Sequence, residues 1–121
     1  MEIADVLCSM IKRHQVAELF SRKDPAGISR LVEPHAVYIG SNSRGFLDFW
    51  QQSGWSWSRD EPGWRRLALI DVLDVRPAGG YFEPRPDYRP DNRQWYRAFV
   101  CATRPALAGV DTEPVSPDVS G

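Results

Sequence analysis

Apolar residues at Ile3, Leu7, Met10 and Ile11 recur at steps of three and four, while Glu2, Asp5, Lys12 and Arg13 fall elsewhere. This spacing predicts an amphipathic helix over residues 2–13, with acids at its start and bases at its end as the helix dipole favours. From His14 the period changes. Residues 15–20 predict a strand, Asp24-Pro25-Ala26-Gly27 a type I turn, and residues 28–32 the returning strand of a hairpin. Residues 36–40, the polar turn Ser41-Asn42-Ser43-Arg44-Gly45 and residues 46–51 repeat the strand–turn–strand pattern. Over 46–51, Leu47 and Phe49 alternate with Phe46, Asp48 and Trp50, giving one apolar and one mixed face. After a loop rich in Ser, Gly and Trp (53–63), residues 64–69 predict another strand, with Leu67 and Leu69 opposed to Arg66 and Ala68. Val72 and Val75 extend the apolar series through a short turn, Gly79-Gly80 reads as a turn signal, and Tyr81-Phe82 closes the series. One helix followed by five or six short strands predicts a mainly β (α+β) fold, a small and strongly bent antiparallel sheet or barrel.

The later chain reads differently. Pro77, Pro84, Pro86 and Pro90 predict an extended loop without regular structure. Residues 94–102 fit a last strand or a short helix, and periodicity does not separate the two. From Pro105 the aromatics and bases cease, which predicts a disordered tail over 105–121. At 121 residues the chain has room for a single domain, placed at 1–104: helix 2–13, barrel 15–82 and a Pro/Arg/aromatic extension 83–104.

Net charge is −1, from 15 bases and 16 acids, which excludes a polybasic nucleic-acid coat. The stretch before position 105 carries all 15 bases and 13 acids and is mildly basic. Thirteen of the bases are arginine, a residue suited to flat, anionic or stacked partners, although a coding bias toward Arg produces the same composition. No apolar run approaches the roughly 18 residues of a membrane span, and residues 1–7 lack a basic leader, so no membrane association and a cytoplasmic location are expected. Two cysteines, Cys8 and Cys101, make no disulfide scaffold and read as buried small hydrophobes.

Spacing for a metal site is missing: Cys8 and His14 are six apart, and His35 and Cys101 are isolated. There is no Gly-rich phosphate loop, and the carboxylates Glu33, Asp71, Asp74 and Glu83 are scattered. The expectation is therefore no enzyme, no catalytic residue, no metal and no cofactor. A hydrolase built on Glu33 and His35 is a minor alternative, weakened by Pro34 between them. What remains is arginine interleaved with aromatic and amide side chains. Trp50 and Gln52, the loop residues Trp55 and Trp57, and Arg65 and Arg66 after Trp64 are the candidate ligand-binding set. Arg85, Arg89, Arg93, Tyr88, Trp95 and Tyr96 supply more of the same chemistry further on. Aromatic faces stack on bases and guanidinium groups bind phosphates. The bland reading of each residue is core packing, or arginine lying over aromatic rings as soluble cover.

The stretch Arg30-Leu31-Val32-Glu33-Pro34-His35, followed by a turn and a Gly-Phe-Leu strand, resembles the WYL domain of bacterial transcriptional regulators. Trp64-Arg65-Arg66-Leu67-Ala68-Leu69 with Val72 and Val75 falls where that family has an Arg-containing strand, and Tyr81-Phe82 where it has a closing aromatic. The segment Glu83-Pro84-Arg85-Pro86-Asp87-Tyr88 looks like that of a short relative. The resemblance implies an Sm-like or SH3-like bent barrel that senses a nucleic acid or nucleotide-like effector. Within the naming tripeptide Leu47 matches, Phe46 replaces Tyr and Gly45 replaces Trp; Arg65 matches the first strand arginine and Ala68 stands at the second. Phe46 thereby joins the candidate set. About fourteen residues precede the first strand, too few for a winged helix-turn-helix, so DNA reading would come from a partner regulator, or the chain acts as a stand-alone sensor or adaptor.

The expected function is a small non-enzymatic sensor or regulator that binds a nucleic acid or nucleotide-like anion through an arginine–aromatic face. The alternative is a protein-interaction or homodimerisation module using the Trp-rich loop 53–64.

Overall fold

Helix α1 (Ile3–Arg13) keeps the register its spacing predicts, burying Leu7, Met10 and Ile11. It stops at His14, whose backbone is left-handed (φ 56°) and whose amide donates to the carbonyls of Ile11 and Met10. The computed structural model describes residues 2–40, 42–54, 62–87 and 96–103. Beyond α1 these form β1 (Gln15–Ser21), β2 (Arg30–Gly40), β3 (Gly45–Gly54), β4 (Gly63–Ala68), one turn of 3-10 helix (Leu69–Asp71), β5 (Val72–Tyr81) and β6 (Tyr96–Ala102). The architecture is thus mainly β, one N-terminal helix with a bent six-stranded antiparallel sheet.

The strands order as β4-β3-β2-β1-β5, with β6 added to β2. The bend originates in β2. Its first residues pair with β1 (Ala17↔Val32), its last with β6 (Ala36↔Ala102 to Gly40↔Tyr96), while β3 follows it throughout on the other edge. The hand-over falls at Glu33-Pro34-His35, where the pairing with β3 shifts register between Pro34 and Ala36. A proline, lacking an N–H for the ladder, is tolerated at such a bulge, and the bulge bends the strand.

Three local expectations change. The separate strands expected at 28–32 and 36–40 merge into one, which begins at Arg30, because Pro34 bends β2 without ending it. The turn before β2 is Pro25–Ile28: the Ile28 amide donates to the Pro25 carbonyl, and Gly27 takes φ 80° at the third position, a type II geometry in place of type I. Gly79-Gly80 lies within β5 and does not turn the chain. Gly79 (φ 82°) sits where the pairing with β1 slips between Gln15↔Tyr81 and Ala17↔Pro77, and Pro77, expected in an irregular loop, lies in the same strand, accommodated because β5 ends the sheet path. The open choice over 94–102 resolves to strand β6, whereas the tail 105–121 lies outside the described residues.

One side of the sheet packs α1 against Ala17, Leu19, Val32, Val37, Leu47, Phe49, Leu67, Val72 and Val75. Each large apolar side chain buried there contributes about 1.5–3 kcal/mol relative to exposure. A smaller cluster of Ala36, Tyr38 and Phe46, packed by Trp64, Ala68, Phe99 and Ala102, lies apart from it. The cysteines are corrected outright: Cys8 on α1 and Cys101 on β6, 93 positions apart in sequence, are joined in a disulfide. Each is partly buried; the folded chain brings their Cα atoms to 5.7 Å, a proximity that local patterning does not encode. Among the described residues no helix is long and apolar enough to cross a membrane.

Candidate functional site

Strand alternation sorts the candidate residues between two faces. On β3, Leu47 and Phe49 join the helix-side core, so Phe46, Asp48, Trp50 and Gln52 project the other way. The register Phe46↔Ala68, Asp48↔Arg66, Trp50↔Trp64 adds Trp64 and Arg66 of β4 to this second face, and Glu33↔Trp50 adds Glu33 of β2. Arg65, paired with Phe49, takes the opposite face, and its Nη1 donates to the Trp64 carbonyl (3.0 Å). Adjacent residues on a strand cannot share a face, so the expected Arg65–Arg66 pair is divided. Phe46, Trp50, Gln52 and Arg66 are brought to one side; Trp55 and Trp57 lie outside the described residues.

At the centre of the second face sits Glu33, 4% exposed. Its carboxylate accepts from Arg85 Nε (2.9 Å) and Nη2 (3.2 Å), a bidentate pair, and from Gln52 Nε2 (2.7 Å). The Arg85 guanidinium lies 3.9 Å from the centroid of the Trp50 ring, and Trp50 meets Trp64 edge-on at 5.4 Å. Alongside, the buried Asp48 carboxylate accepts from the Tyr38 hydroxyl (3.0 Å) and from Arg66 Nε (3.1 Å), with the Arg66 guanidinium 5.7 Å from the Tyr38 ring centroid. Arg85 and Arg66 are therefore both held by carboxylates. They remain in reach of solvent, with 35% of the Arg85 side chain and 45% of the Arg66 side chain exposed.

His35, fully buried, stands behind this layer. Its Nε2 accepts the Arg85 backbone N–H (3.0 Å); since that amide can only donate, the ring proton is on Nδ1, which donates to the Glu33 carbonyl (2.8 Å). Burial pushes the imidazole below its ordinary range, opposed mainly by the Glu33 carbonyl and carboxylate. The ring packs edge-on to Trp64 (4.9 Å) and tilted against Phe82 (5.0 Å), and Phe82 contacts His14 (5.8 Å). Both ring nitrogens of His35 and both carboxylate oxygens of Glu33 are thus occupied by protein groups, which is what the minor hydrolase reading meets in the fold.

Sequence reasoning placed Arg85 among a general supply of bases and missed its partnership with Glu33, 52 positions away. The two Glu-Pro steps, at Glu33-Pro34 and Glu83-Pro84, were the available signal: each marks extended backbone able to lie beside the other. No protein-family model, curated protein or solved structure matches this chain.

Proposed function

We propose that this chain is a non-enzymatic sensor of the WYL type, and that its second face receives a planar, nucleotide-like anion. The observation that carries the reading is the Arg85 guanidinium stacked 3.9 Å from the Trp50 centroid and oriented by Glu33, with Trp64 and Arg66 beside it. A guanidinium–indole pair offers a flat platform for a base, while the half-exposed Arg66 guanidinium, held by Asp48, offers N–H donors to a phosphate. The carboxylates favour a small effector over a long nucleic-acid backbone, because Glu33 and Asp48 already neutralise the arginines a run of phosphates would need.

Tryptophan fluorescence during titration with a nucleoside monophosphate, and separately with a single-stranded oligonucleotide, at two salt concentrations tests this. The mononucleotide is expected to quench emission, and Arg66→Ala to weaken its binding by roughly tenfold or more, the worth of a charge-assisted hydrogen bond. Arg65→Ala, on the opposite face, is expected to leave binding unchanged. Equal losses from both substitutions, or no response to the mononucleotide, would remove the proposal.

One observation favours the second reading, self-association. It lies outside the Trp-rich loop 53–64 of the sequence expectation: Ile70 and Leu73, three positions apart where the 3-10 turn enters β5, are 64% and 63% exposed. Light scattering that shows a stable dimer lost in Ile70→Lys, with no nucleotide response, selects it.

A further inference from the structure

We propose that the Cys8–Cys101 disulfide is a reducible clamp, opened by small anionic thiols that enter the groove between α1 and β6. The bond ties the first element of the fold to the last, and β6 is otherwise joined to the sheet through β2. Both cysteines are partly buried and both line an open groove of about 600 Å³, together with Ile11, Lys12, Phe99 and Thr103. A structural disulfide protected from exchange lies inside a core; this one borders a space large enough for a peptide-sized thiol.

Lys12 gives the groove its chemistry. It lies four positions after Cys8 on α1, on the same helix face and in the same groove, where its ammonium attracts a carboxylate-bearing thiol and stabilises a thiolate on Cys8. Cys8 is therefore the better leaving group. The thiolate of one small thiol attacks Sγ of Cys101, the Sγ–Sγ bond breaks, and its electron pair leaves on Cys8 beside Lys12. The thiolate of a second molecule then attacks the small-molecule sulfur of the mixed disulfide, forming the oxidised small-molecule disulfide and expelling Cys101 as thiolate. The protein disulfide is reduced by two electrons and two thiols are oxidised; protons released when the two small thiols ionise are those the two cysteines take up.

Opening the clamp acts on the second face. Phe99 and Ala102 of β6 pack on the Ala36–Tyr38–Phe46 cluster, and Tyr38 holds Asp48, the carboxylate that positions Arg66. The proposal does not depend on what that face binds.

The full chain, oxidised with glutathione disulfide and then exposed without denaturant to reduced glutathione, is alkylated at intervals and weighed intact and as peptides. Two alkylated cysteines are expected under native conditions, with the transient glutathione adduct on Cys101. Lys12→Ala is expected to slow opening measurably, because the Cys8 thiolate then leaves without the neighbouring ammonium. Hydrogen exchange is expected to rise in residues 96–102 on opening and to stay unchanged in β1. Reduction that proceeds only at the rate of global unfolding, an adduct on Cys8, or an unaltered rate in Lys12→Ala would overturn the proposal.

Discussion

Two single residues carry constraints that the whole fold depends on. Gly54 closes β3 at φ 110°, and a Cβ there would lie 2.6 Å from the Ser29 carbonyl oxygen and 2.7 Å from Arg30 Cα, both backbone atoms that cannot swing away. Gly54→Ala is expected to cost at least the roughly 1–3 kcal/mol of a strained backbone position, read as a lower urea midpoint at unchanged slope. Gly27, whose φ is 80° but whose surroundings are open, is expected to cost less when replaced by alanine. His35 sets a pH dependence. Its folded pKa lies below the ordinary 6.5, so on acidification the unfolded chain takes up the proton first. Its contribution to stability is complete above about 6.5 and is lost as pH falls from there through the folded pKa. Urea midpoints measured across that window should fall more steeply for the natural chain than for His35→Gln; parallel curves would contradict it.

At the scale of elements, β2 and β6 decide the shape. Strand β2 exchanges β1 for β6 at a proline bulge, and that exchange lets one sheet turn through a sharp bend without a break in the chain. Strand β6 is fixed twice, by its ladder to β2 and by Cys101. Closing a loop of about a hundred residues in the unfolded chain corresponds to about 4.7 kcal/mol on the chain-entropy model. The double substitution Cys8→Ser with Cys101→Ser is expected to lower the thermal midpoint measurably at unchanged far-ultraviolet dichroism; an unmoved midpoint would show that the clamp adds nothing to stability.

Across the whole molecule, one sheet serves two purposes through its two faces. The side under α1 carries the main apolar core, with Arg65, Arg30 and Gln51 on the same side of the sheet. The other holds charged side chains in ordered pairs, Arg85 with Glu33 and Arg66 with Asp48, each next to an aromatic ring. A buried carboxylate paired in this way fixes an arginine's direction, so that the anion we propose would pay little entropy to meet it. A chain of ring contacts, His14–Phe82–His35–Trp64–Trp50, runs from the end of α1 to that face.

The sequence by itself determined what depends on neighbours along the chain: the helix and its buried stripe, the strands and hairpins, and the division of β3 into a Leu47/Phe49 face and a Phe46/Asp48/Trp50 face. The same alternation already separates Arg65 from Arg66, so that split was legible from the strand assignment. Tertiary structure alone decided that Cys8 meets Cys101, that Arg85 reaches Glu33, that Pro34 bends a strand without ending it and that Gly79 bulges inside β5. Periodicity records which way a side chain points from its own backbone. Which distant segment arrives there is set by the closing of the sheet and the burial of both partners together, and no local pattern carries that information.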